Sequence, residues 1–459
     1  MTDRSTVFFA RPALPAPDPT QPLGSRANPV ILDPMNPDFM AAAHALYANL
    51  RQECPVARAR LRPFEGETEL TEADRAAEAR SPFSAEVWLT TQYDTGVEAL
   101  LDDDGFAVDP LKALTPEQRE ALPPPPEEFL PLSRSLLTLD PPDHTRLRKL
   151  VQPWFTGRAI DALRPRIAEL ANDLLDRADA AAAARGESAP HRRMELIESF
   201  AYPLPVTVIS EMLGVPRDDR ERIRQWTELL FTRRGPTLTE EQRVNLHAIS
   251  EYFKDLATRK RAEPAEDLIS FLVQAEDDGD RLDDQELLSM IFIIYVAGHI
   301  TTVNLIGNGI VALLTHPEEL TRIQRDPSLA RNLVEETLRY WGPAEQTFPR
   351  IALDDITVGD VVIPRGDRVM VSLAAADRDP ERFADPDRFD VGRPDANRHI
   401  AFGKGIHVCL GAPLARAEGE IAFATLLARY PDLRLAVPAA ELTWRENFLR
   451  GFREIPLNV

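Results

Sequence analysis

One stretch, Asp283 to Thr315, constrains the fold of this chain more than any other. Asp283-x-x-Glu286 reads as a capping box with an acidic cap in place of Ser or Thr, and Pro317 stops the helix that it opens. Within it the run Leu287–Val296 is apolar nearly all round, so the helix has no solvated face and must be buried. At roughly 1.5 Å per residue such a helix crosses most of a domain. A membrane span is the competing reading. His299, Thr301, Thr302, Asn304 and Asn308 count against it, because unpaired polar groups in lipid are costly. Thr301 stands four residues after Ala297, so its hydroxyl can bond the Ala297 carbonyl and bend the helix, while Gly298 leaves an opening beside it.

A second stretch carries chemistry. Phe402-Gly403-Lys404-Gly405-Ile406-His407-Val408-Cys409-Leu410-Gly411 sets one cysteine on a glycine-bracketed loop before the Ala-rich run Ala412 to Tyr430, which reads as a helix. A cysteine at a helix N-terminus sits at the positive end of the dipole, which favours the thiolate and makes it a strong ligand for a soft or borderline metal. Gly403, Gly405 and Gly411 permit backbone conformations and close approaches that let amides point at the sulfur. Phe402 offers a flat face to a large ring. Zinc fits poorly, since the only other cysteine is Cys54 and His399, His407 and Cys409 match no common zinc spacing. No Lys-Ser/Thr follows the glycines, so they do not form a phosphate loop.

Composition narrows the class. With 459 residues, a net charge of −21 and two distant cysteines, the chain can bury a large core and carries no disulfide framework. It lacks the cationic balance of a nucleic-acid or anionic-membrane protein. The N-terminal residues hold no apolar run long enough for a signal peptide or anchor, so the expectation is a soluble cytoplasmic enzyme with no membrane anchor. Residues 1–28 form a Pro-rich lead and residues 61–81 a charged insertion, read as a solvated excursion between strands. Helical spacing covers Asp38–Arg51, Asp94–Leu101, Arg164–Met212, Glu221–Phe231 and Glu240–Arg259, with a break at Arg233-Arg234-Gly235-Pro236. Pro123-Pro124-Pro125-Pro126 makes Phe106–Leu136 a long irregular loop, and Ile356–Met370 reads as strands and hairpins. His144 and Arg148 share one helix face, where two cations can serve a bound carboxylate, and Glu336 and Arg339 place an acid and a base three residues apart.

Phe-Gly-x-Gly-x-His-x-Cys-x-Gly resembles the heme-binding loop of the cytochrome P-450 superfamily, and the ordered motifs from Asp140 to Gly411 extend the resemblance over nearly the whole chain. It implies a mainly α fold with a smaller β region (α+β) in a single large domain, here residues 29–459, holding heme b with Cys409 as the axial ligand. His144, Arg148, Arg350 and His407 would then reach the heme propionates, with Phe402, Gly403 and Gly411 shaping the loop. Ala297-Gly298-His299-Ile300-Thr301-Thr302 is similar to the oxygen-binding groove, with Ile300 where the family has an acid. Glu336 and Arg339, with Arg388 as third partner, would brace the cysteine loop. Helices flanking the Arg233–Pro236 break would roof a pocket walled by Ile293, Ile294, Ala297, Ala344, Thr347 and Phe448.

The function so implied is a monooxygenase that inserts one atom of O2 into a lipophilic small molecule, by hydroxylation or epoxidation. Its electrons would come from NAD(P)H through a ferredoxin or flavodoxin. Thr145 to Ile160 contains no acid but holds Arg146, Arg148, Lys149 and Arg158, and by resemblance this is the docking face, with Arg146, Lys149 and Arg158 meeting the donor. Ile300 keeps open a peroxide-driven or non-oxidative heme-thiolate enzyme, and a heme-based binding or sensing protein is the third reading.

Overall fold

The computed structural model describes residues 18–61, 86–120, 134–188, 192–231, 239–277 and 280–459. Most of the Pro-rich lead and of the 61–81 insertion, the Pro123–Pro126 run and the Arg233–Pro236 break lie outside the described residues.

Eight helices frame the candidate site: α1 (Pro37–Glu53), α2 (Asp143–Val151), α3 (Gly157–Ala184), α4 (Pro203–Leu213), α5 (Glu240–Ala262), α6 (Asp284–Leu314), α7 (Ala330–Trp341) and α8 (Ala412–Arg429). α6 opens on the capping box read from the sequence: the Asp283 carboxylate accepts the Glu286 N–H at 2.7 Å, and the Glu286 carboxylate accepts the Asp283 N–H at 3.2 Å. It is long and apolar enough to cross a membrane, but it is enclosed by α4, α5, α7 and α8 and is the spine of the main core.

A mixed sheet stands to one side, formed by β1 (Val30–Leu32), β2 (Val56–Leu61), β3 (Glu86–Thr90), β4 (Phe106–Ala107), β5 (Arg350–Ala352) and β6 (Arg368–Val371) in the order β1-β2-β3-β6-β5-β4. β1 runs parallel to β2 and β6 parallel to β3, and the other pairs are antiparallel. Val369 pairs with Arg350, which fixes where that arginine leaves the sheet.

The helical spacing read over Arg164–Met212 is interrupted. Gly186 turns the chain at φ 76°, and Arg193–Glu195 forms a strand against Pro456–Asn458 before α4 begins. The partner strand lies at the far end of the chain, so local periodicity carries no sign of it.

Candidate active site

From Glu286 to Leu313 every residue of α6 is buried except Ile293, Ala297, Gly298 and Thr301. Ile293, Ala297 and Thr301 follow one another at four-residue steps and share a face, so the spine of the core opens onto a recess at its middle. The Thr301 hydroxyl donates to the Ala297 carbonyl at 3.0 Å, the back-bond expected from their spacing. Gly298 does not leave the expected opening. A Cβ there would meet the Ile209 side chain of α4 at 2.9 Å, so the missing side chain is filled by a neighbouring helix. Ile294, expected on the pocket wall, is one step of about 100° round from Ile293 and packs into the core instead.

The cysteine loop is fixed by its own backbone. The Cys409 N–H donates to the Phe402 carbonyl at 2.9 Å and the Gly403 N–H to the Ile400 carbonyl at 2.7 Å, while Gly403 and Gly405 both sit at φ 72°. Gly411 has an ordinary φ of −81°, and a Cβ there would meet the Cys409 sulfur only at 4.0 Å, an ordinary contact, so neither backbone conformation nor crowding by the protein itself demands its glycine. Burial pushes the Cys409 thiol up, against the Gly411 and Ala412 amides and the charges of Arg148 and Arg416. The helix dipole therefore does not by itself yield the expected thiolate. Cys409 is nevertheless exposed by area. A sulfur both reachable and surrounded by protein lines an internal recess, and that is where a thiolate-bound metal would sit.

Around this recess gather the groups read as carboxylate partners. The His144 and His407 rings lie 4.4 Å apart between centroids. Both ring nitrogens of His144 and the Nε2 of His407 are buried without a hydrogen-bond partner among the described residues. Burial, reinforced by the His407 and Arg148 charges, pulls His144 down to about 4. His407 Nδ1 is 3.1 Å from the Leu136 carbonyl, and its Nε2 is 3.7 Å from Asp140. Arg350 is only 5 % exposed and meets Asp103 at 3.3 Å. These orphaned nitrogens and the buried cation fit a ligand bearing carboxylates, as heme b does. Arg148 is placed differently from expectation, donating to the carbonyls of Ile406 and Val408 at 3.1 and 2.8 Å and so tying α2 to the cysteine loop.

Two further expectations are corrected. Arg339 donates to Glu336 at 2.7 and 2.8 Å, but the third partner is Arg393, whose Nε reaches Glu336 at 3.1 Å. Arg388 meets the brace through its carbonyl, which accepts from Arg339 and Arg393, while its side chain, 61 % exposed, reaches Glu319 at 4.0 Å instead of Glu336. Arg146 faces inward rather than toward a docking partner: it and Arg134 pair with Glu286, a buried carboxylate at the head of α6 that needs cations. Lys149 and Arg158 are exposed. On the pocket side, an antiparallel bridge between Ala344 and Leu449 sets the Pro343–Phe348 segment beside Phe448, and the Thr347 hydroxyl accepts the Val371 N–H at 3.1 Å.

Glu418 was missed by the sequence reading. It lies on α8 facing α6, wholly buried, with neither carboxyl oxygen in a hydrogen bond of good geometry among the described residues. Burial pushes it up to about 8, and the Thr302 hydroxyl is the polar group opposing that rise. Its signal was available: Leu414, Ile421 and Ala422 flank it at helical spacing, so it is an acid on an apolar stripe.

A family model described as Cytochrome P450 matches residues 126–433. The cytochrome P450 monooxygenase PikC of Streptomyces venezuelae is 42% identical over 439 residues, covering 95% of this chain and 95% of its own. The mycinamicin IV hydroxylase/epoxidase of Micromonospora griseorubida is 40% identical over 392 residues, covering 85% of this chain and 94% of its own. Among solved structures, the myxobacterial cytochrome P450 CYP267B1 in complex with myristic acid superposes with a TM-score of 0.78 at 40% identity, covering 92% of this chain and 98% of its own.

Proposed function

The chain belongs to the cytochrome P450 family, and from that premise we propose that Cys409 would hold the heme through its sulfur and that the α6 recess at Ala297 and Thr301 is where dioxygen and substrate would meet. The protein is a heme-thiolate monooxygenase, which binds heme b through a cysteine thiolate and uses O2, a small lipophilic substrate and a redox partner. When bound, such a heme supplies the redox chemistry that cleaves the O–O bond, which thiolate donation favours.

The chain's own residues supply position and protons. Thr301 spends its hydroxyl proton on the Ala297 carbonyl, which leaves its oxygen lone pairs facing the recess to hold a water there. Ile300 can neither carry a proton nor hold water by hydrogen bonds. His299 is no substitute, since burial lowers it to about 4 and its Nδ1 is engaged 2.7 Å from the Tyr295 carbonyl. Glu418 is the source that the geometry favours. With a pKa of about 8 it holds a proton at neutral pH, and Thr302, its nearest polar influence, adjoins Thr301. His144, His407, Arg350 and, through the loop, Arg148 are assigned to holding the heme.

The substrate is read as a lipophilic small molecule held by Ile293, Ala344, Thr347 and Phe448, in keeping with the mycinamicin and myristic acid named for two relatives. A ferredoxin or flavodoxin is the proposed donor, docking at Lys149 and Arg158, and residues 29–459 are assigned to one catalytic domain. Low cysteine content supports a cytoplasmic setting. One observation favours peroxide-driven turnover as a second reading, the apolar Ile300 beside the recess.

The observation that carries the reading is the exposure pattern of α6, buried along its length from Glu286 to Leu313 except on the face of Ile293, Ala297 and Thr301 and at Gly298, which packs against α4. The test is spectral. Reduced protein with carbon monoxide should show the red-shifted Soret band of thiolate ligation, and Cys409→Ala should abolish it; a band that survives the substitution overturns the assignment.

A further inference from the structure

On the cysteine side of the recess stands an ion pair that the proposed chemistry does not use. Arg416 of α8, whose guanidinium lies 4.7 Å from the centroid of the Phe402 ring, is gripped by Glu335 of α7 through Nε–Oε1 and Nη2–Oε2 contacts of 2.6 and 3.0 Å. His399 completes the cluster. Its Nε2 is 3.1 Å from Glu335 Oε2, its ring centroid is 5.7 Å from that of Phe402, and its Nδ1 accepts the Ala401 N–H at 3.1 Å. An Nδ1 that accepts carries no proton, so Nε2–H is the donor and the imidazole is neutral. Burial alone pushes Glu335 up, but the bonds from His399 and Arg416 hold it at about 2, so the carboxylate is charged at any working pH.

The cluster is therefore one cation against one anion, arranged around the residue that holds the cysteine. Phe402 is packed by Arg416 and His399, and its carbonyl accepts the Cys409 N–H at 2.9 Å. Glu335 is buried while the Arg416 side chain is 39 % exposed, so the anion is fixed and the cation is partly screened by solvent.

We propose that the Glu335–Arg416 pair is a tuning element for Cys409: Arg416 withdraws electron density from the sulfur, Glu335 sets how much of that charge the sulfur feels, and the balance sets the reduction potential of the iron it carries. The inference rests on Cys409 as the ligand. Glu335→Gln keeps the shape of the cluster and leaves Arg416 unbalanced, which favours the ferrous state. Arg416→Gln leaves Glu335 unbalanced and favours the ferric state. A single unit charge near a partly hydrated rim shifts the reduction equilibrium about fivefold. The double variant, neutral like the native pair, returns close to the wild-type potential.

Spectroelectrochemical titration of the full-length, heme-loaded protein decides it. The expected result is a rise in midpoint potential for Glu335→Gln, a fall for Arg416→Gln, near cancellation in the double variant, and smaller single-variant shifts at high salt. Arg416→Lys keeps the charge while losing the two-pronged grip, and it should stay near wild type. If Arg416→Gln does not take up heme, Glu335→Gln and Arg416→Lys decide between them. Single variants that move the potential in the same direction, or a double variant displaced further than either, would mean a merely structural brace and overturn the proposal. The carbon monoxide spectrum separates this failure from the deeper one: a wild-type protein without the red-shifted band disproves the ligand assignment itself, whereas a normal band with unmoved potentials disproves only the tuning.

Discussion

Glu336 and Glu418 are both glutamates with no exposed surface, on neighbouring helices α7 and α8, and they have been given opposite surroundings. Glu336 receives two bonds from Arg339, a forked pair from the Arg393 Nε at 3.1 and 3.3 Å and one, at 2.8 Å, from the Asp390 N–H. Glu418 receives none of good geometry among the described residues. Burial penalises a charged carboxyl, and the partners differ: Glu336 sits in ion pairs with two guanidinium groups, whereas Glu418 is pushed up to about 8 and keeps its proton at neutral pH. The first arrangement locks a loop in place. The second leaves a protonated acid against Thr302, the neighbour of Thr301, which is of no use to a scaffold and is why it is proposed as the proton source.

The largest expected effect breaks the first half of this comparison. Glu336→Gln removes the anion shared by two buried guanidinium groups, and loss of one partner of a buried pair costs on the order of 3–5 kcal/mol. It should lower the midpoint of denaturant unfolding and the yield of heme-loaded protein. Glu418→Gln should do neither, since it replaces a neutral acid by a neutral amide. Equal losses in the two variants would erase the distinction drawn between them.

The second effect is a pH dependence of stability. The folded-state pKa of Glu418, about 8, lies above the ordinary 4.5, so the native state binds the extra proton. Stability from this group is therefore fully present below about pH 4.5 and is lost as pH rises through about 8, a total on the order of 3–5 kcal/mol. Asp377, buried and raised to about 7, slopes the same way. The difference between wild type and Glu418→Gln isolates the glutamate: the wild-type unfolding free energy should fall more steeply between pH 5 and 8, and parallel curves would show that Glu418 is not protonated in the fold.

The two acids were not equally legible. Glu336-x-x-Arg339 is local, three residues on one helix, and so is the capping box that opens α6; the apolar run of that helix likewise announces its own burial. Cys409 stood out because glycines and a following helix surround it in sequence. What escaped depends on pairing across the chain. Arg393 rather than Arg388 faces Glu336, in an irregular segment that has no period, and Arg146 is claimed by a carboxylate 140 residues away. Glu418 was visible only as an acid out of place on an apolar face, and its meaning depends on α6 lying opposite.

A third prediction sharpens the second half of the comparison through turnover. If Glu418 supplies the proton, Glu418→Gln should lower product formed per NAD(P)H several-fold and raise peroxide release, with heme content and the carbon monoxide band unchanged. A lone drop in binding affinity, with the coupling ratio intact, would instead assign Glu418 to packing.

The smallest effect concerns Ile300, buried beside the recess where the family has an acid. Ile300→Glu places a second carboxyl one residue before Thr301 in the chain, whereas Glu418 meets Thr302, one residue after it. In the wild-type background, where Glu418 already gives its proton, it should raise coupling modestly and mainly with poorly fitting substrates. In the Glu418→Gln background it should recover a larger share of the lost coupling, because the new acid then replaces the missing donor. The measurement is product and peroxide per NAD(P)H for the four proteins with one good and one poor substrate. Equal gains in both backgrounds would mean that the two carboxyls act independently, and a loss in both would mean that an apolar residue is needed at position 300, leaving Glu418 without the role that its unpaired burial suggests.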